Sequence, residues 1–88
     1  MEVCRVVGQM VSTIKDSRLQ GFKLLVCQAA DRKHRPSGES FVAVDAIGAG
    51  QGDTVLVVRG APAQSIATAP VDAAIVAIID PIRSEGGG

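Results

Sequence analysis

An all-β fold, closed or nearly closed into a small five-stranded barrel with one short helical insertion, is what this sequence predicts. Three observations carry that expectation. Eighty-eight residues make one domain with a thin core, since a chain of this size buries only about 60–65% of its unfolded surface. Apolar residues are 47% of the chain, yet Phe22 and Phe41 are its only aromatics, so the apolar mass is Val, Ala and Ile and favours pleated sheet. These residues fall into short runs separated by glycine, proline and charge.

Each element follows in order. Residues 3–14, VCRVVGQMVSTI, read as a first strand with Gly8 as a bulge or bend. Residues 15–21, KDSRLQG, are a turn-rich connector, and residues 23–29, KLLVCQA, a second strand. The polar stretch 31–38, DRKHRPSG, contains Pro36 and Gly38 and reads as a loop. Residues 40–47 and 54–59 are the third and fourth strands. Residues 60–69, GAPAQSIATA, form one or two helical turns with Pro62 near their start. Residues 73–82, AAIVAIIDPI, read as the fifth strand, although a short helix fits the same pattern. The closing SEGGG, residues 84–88, is expected to be a flexible tail. The set points to an OB-like or SH3-like barrel.

Several strands lack clean alternation: VLVV and AAIVAII are apolar on both faces. One face fills a barrel, and the other needs a cover that a single-layer barrel cannot supply. An oligomer with apolar interfaces is therefore expected.

Charge and cysteine content narrow the function. Nine basic and nine acidic residues balance to zero, which argues against a nucleic-acid or anionic-membrane surface. No secretory h-region or transmembrane run stands out, so a cytosolic setting with reduced thiols is expected. Cys4 and Cys27 lie inside apolar runs and read as buried small hydrophobes. His34, the only histidine, has no partner at metal-ligand spacing and sits on a loop of charged residues, poorly placed as the base of a Ser or Cys nucleophile, and Asp45, Asp53, Asp72 and Asp80 show no spacing that selects an acid and a base. No catalytic residue, metal site or cofactor is expected.

The segment Gly48-Ala49-Gly50-Gln51-Gly52-Asp53 is the most conspicuous motif. Its glycines alternate as G-x-G-x-G, unlike either phosphate-binding pattern, and Thr54–Val58 after it reads as a strand where a phosphate loop needs a helix. Asp53 would repel phosphate. A tight connection between two strands is the plain expectation. The other cluster, Arg32, Lys33 and Arg35, is a basic patch of the kind single-strand-binding barrels carry. Without Trp or Tyr to stack bases, a solvated or protein-contacting loop is the better expectation.

Three long pieces together resemble the EutN/CcmL family, the pentameric vertex proteins of bacterial microcompartment shells. They are VVGQMVSTIKDSRLQGFKLLVCQ at 6–28, FVAVDAIGAGQGDTVLVVRG at 41–60 and APVDAAIVAIID at 69–80. The resemblance implies one domain over residues 1–83, an OB-like barrel assembled as a cyclic homopentamer. It implies a structural role, with no catalysis: capping the vertices of a polyhedral shell of hexameric tiles around encapsulated enzymes, in the bacterial cytoplasm. It also implies that Gly48–Asp53 lies close to the fivefold axis, where converging backbones leave little room for side chains. The Asp31–Gly38 loop is expected to meet neighbouring tiles through Arg32, Lys33 and Arg35. The chain departs from many relatives at Ala61-Pro62-Ala63-Gln64, where they carry a Ser-Ser-Ala-Arg-like start to a short helix, so the arginine-like contact is missing there. The alternative from another class is an OB-type nucleic-acid or ligand-binding module.

Overall fold

The computed structural model describes residues 1–11, 17–19, 21–60 and 72–80. Five strands appear among them: β1 (Glu2–Gln9), β2 (Lys23–Ala30), β3 (Pro36–Asp45), β4 (Thr54–Arg59) and β5 (Ala73–Ile79), with a 3-10 turn at Ser17–Leu19. They close into a barrel in the order β1-β2-β3-β5-β4, with β4 returning to β1. β3 and β5 pair in parallel at Val44↔Ala74, and every other pairing is antiparallel. This is OB-like order. It has a direct consequence for the glycine segment. β3 and β4 are not neighbours, so the connection between them is no hairpin; it crosses one end of the barrel past β5.

Alternation along each strand builds the interior. Cys4 and Val6, Leu25 and Cys27, Ala43, Val55 and Val57, and Ala73 and Ile75 point inward, and Ala49 of the glycine segment joins them. Fully burying a Val or Leu contributes about 1.5–3 kcal/mol, so a core this thin rests on a few such residues. The outer face is apolar too. Val44 and Ala74 form a second cluster covered by Leu19, Phe22, Leu24 and Val58. The chain thus uses its 3-10 turn to close one flank. Elsewhere Val3, Val42 and Ile78 remain 37%, 37% and 38% exposed, the half-covered outer face the sequence anticipates.

Strand limits differ from the expectation in places. β1 ends at Gln9, short of residue 14, and Met10 and Val11 are exposed beyond it. The β1–β2 register slips between Val6 and Gly8, so the bulge is real. β3 starts at Pro36, which shortens the expected 31–38 loop to a turn. Proline is tolerated as a first strand residue, and Gly38, at φ 80°, sits where the β2–β3 register shifts. β3 stops at Asp45 rather than residue 47, because Asp45 turns the chain. Residues 73–79 are a strand, not a helix. The expected helical turns from residue 61 to 69 and the tail at 84–88 lie outside the described residues.

Candidate assembly site: the glycine loop and the β2–β3 turn

Asp45 is the anchor of the glycine loop. It ends β3 and is 1% exposed, the one charged residue among the buried ones described. Its Oδ1 accepts the Ile47 N–H at 3.2 Å, and its Oδ2 accepts those of Gly48 and Ala49 at 3.1 and 3.0 Å. This Asx-type capping turns the backbone and seats Ala49 in the core. Lys23, at the start of β2, holds the other side. Its Nζ donates to the Ala49 carbonyl and stands 3.8 Å from Asp45 Oδ2. Asp53 closes the far end: its Oδ2 accepts the Gly50 N–H at 2.9 Å, while its own N–H returns to the Gly50 carbonyl at 3.0 Å. The Gly52 N–H donates to the Val6 carbonyl at 2.8 Å, and the Val6 N–H to the Asp53 carbonyl at 2.9 Å, fastening the loop to β1.

This wiring excludes a phosphate cradle. The N–H groups of residues 47–50 already face two carboxylates of the chain itself. It also separates the roles of the glycines. Gly48 and Gly52 stand at φ 95° and 94°, which the loop path requires of glycine. Gly50 is not at positive φ, and a Cβ there would meet nothing within 4 Å. Among the described residues neither the backbone nor the packing calls for a glycine at 50.

The Arg32, Lys33 and Arg35 cluster lies on the turn between β2 and β3, with all three exposed. Asp31 organises it. Its Oδ1 accepts the N–H of Lys33 at 2.8 Å and of Arg35 at 2.9 Å, and its Oδ2 takes Arg35 Nε at 3.3 Å. The Arg35 N–H bond is the main reason the Asp31 carboxyl sits below its usual 3.8. Arg35 is thus engaged within its own turn, and Arg32 and Lys33 are presented outward. His34 is exposed on the same turn at φ 61°.

Arg5 connects the two regions. From β1 its guanidinium donates to the His34 carbonyl and to the Gly52 carbonyl, both at 2.8 Å. The basic turn and the glycine loop flank opposite ends of β3, yet Arg5 brings the His34 and Gly52 carbonyls onto one guanidinium, which the sequence did not reveal. Asp45, Lys23 and Arg5 were also not singled out as parts of this site. Asp45 had a signal, an aspartate just before a glycine-rich stretch. Arg5 had none, because its two acceptors are 29 and 47 residues away.

Other candidates for chemistry stay apart. Cys4 and Cys27 are sealed in the barrel, and burial first of all pushes both thiols up to about 11. Among the described residues no three His, Cys, Asp or Glu side chains are grouped to hold a metal.

The sequence profile described as ethanolamine utilisation protein EutN/carboxysome matches residues 1–80. The carboxysome shell vertex protein CcmL of Synechococcus elongatus is 42% identical, over 97% of this chain and 89% of its own. The solved structure of the ethanolamine utilisation protein EutN from Escherichia coli superposes with a TM-score of 0.85 at 38% identity, covering 99% of this chain and 93% of that one. The GrpN pentameric microcompartment shell protein from Rhodospirillum rubrum does so at 0.81 and 38% identity, covering 96% and 99%.

Proposed function

Because the chain belongs to the EutN/CcmL family, we propose that it is a structural vertex protein of a bacterial microcompartment shell, assembled as a cyclic homopentamer and carrying out no catalysis. It closes the shell corners among hexameric tiles, in the bacterial cytoplasm, around enzymes held inside. The relatives supply the role: shell vertex proteins by name, and a pentamer in the case of GrpN.

The observation that carries the assembly reading is Gly50. Gly50 has an ordinary backbone and open space around it among the described residues, which leaves room for an explanation outside the chain. Five copies of Gly48–Asp53 converging on the fivefold axis provide one, since backbones without Cβ atoms approach closely. Arg32 and Lys33, presented on a turn that Asp31 stiffens, are suited to carboxylates or carbonyls of adjoining tiles. The test is Gly50→Ala. The barrel is expected to keep its circular dichroism spectrum while the five-chain assembly weakens at least tenfold. An unchanged pentamer would remove the loop from the axis.

The binding-module alternative is not favoured. Stacking on nucleic-acid bases needs open aromatic faces. Of the two aromatics in the chain, Phe41 has the Arg59 guanidinium 3.6 Å over its ring and Phe22 packs on the outer cluster.

A further inference from the structure

We infer that Arg5 is a positioning residue that clamps the basic β2–β3 turn to the glycine loop, so that the two move as one unit. The clamp rests on geometry: one guanidinium, rooted in β1, makes two hydrogen bonds of 2.8 Å to carbonyls of separate loops, His34 in the turn and Gly52 in the glycine segment. Each nitrogen serves one loop, Nη1 the turn and Nη2 the glycine segment. A planar fork holds two acceptors at a fixed separation, which a lysine ammonium on a flexible stem does not. The third nitrogen, Nε, is buried without a partner among the described residues.

Both loops are already stiff within themselves. Asp31 ties the turn, and Asp45 and Asp53 tie the glycine loop. Two internally rigid loops joined by one bidentate contact pass a displacement from one to the other. On the vertex reading, on which this inference builds, the turn faces neighbouring shell tiles and the loop faces the fivefold axis. Arg5 then links tile contact to the axis within each subunit.

The test is hydrogen exchange on the assembled protein in a mutant cycle. Asp31→Ala removes the acceptor of the Lys33 and Arg35 N–H groups and so loosens the turn without touching the glycine loop. With Arg5 present, it is expected to speed exchange of the 47–53 amides at least threefold. In an Arg5→Ala or Arg5→Lys background the same change adds nothing there, while exchange in β4 and β5 stays as in the parent. If Asp31→Ala leaves 47–53 unchanged with Arg5 present, or speeds it equally without Arg5, the clamp is overturned. Native mass measured on the same samples reports separately on the ring, so a failed clamp and a failed pentamer are told apart.

Discussion

At the scale of single residues, Arg5, Asp31, Asp45 and Asp53 organise the backbone around them. Asp45 shows why the sequence understated them. It reads as one of several dispersed carboxylates, yet its burial under three backbone N–H donors makes it the centre of the loop. Replacing it with Ala strands those donors, and a loss of about 3 kcal/mol in urea unfolding is expected, with faster exchange at 47–49. Asp31 predicts a pH effect. Its folded pKa lies below the usual 3.8, so its contribution is present above 3.8 and is lost as pH falls through the lower folded value. Amide exchange of Lys33 and Arg35, corrected for the intrinsic pH dependence, should rise in that acid window and be insensitive to it in Asp31→Asn. The cysteines predict the opposite limb. Raised from 9.0 to about 11, they stabilise the folded form below pH 9, and that contribution fades as pH climbs from 9 toward 11. A thiol reagent at pH 8 should label neither Cys4 nor Cys27 until the barrel is unfolded.

At the scale of elements, β-branched runs announced all five strands, and what they missed has local causes. Pro36 and Gly38 suggested a loop, but a proline that opens a strand and a glycine at a bulge are both compatible with β3. The end of β3 depended on Asp45 finding buried N–H partners, which local pattern does not encode. The tight connection expected at the glycine segment joins β3 to β4 but is no hairpin, because strand order is a property of the whole barrel and β5 occupies the place beside β3. The glycines themselves were legible as a special loop. Their separate roles were not, since only the backbone angles distinguish Gly50 from its neighbours. Gly48→Ala or Gly52→Ala should destabilise the fold by about 1–2 kcal/mol in thermal or urea unfolding, the cost of a left-handed backbone for a residue with a Cβ. Gly50→Ala should stay within about 1 kcal/mol of the wild type and show its effect in the assembly instead.

At the scale of the whole molecule, the barrel is too thin to spend all its apolar surface inside. Leu19 and Phe22 cover one flank, and Val3, Val42 and Ile78 stay partly open on others. Apolar composition on both strand faces carried that conclusion from the start; which flanks the chain closes for itself needed the connection before β2 to be seen folded. Partly open flanks at several places around a barrel suit a heterologous ring, in which one flank of each copy meets a different flank of the next. The measurement that bears most directly on this is native mass spectrometry of the purified protein over a range of concentrations. A dominant five-chain assembly is predicted. A stable monomer would contradict the shell role, and a ring of six would contradict the vertex geometry.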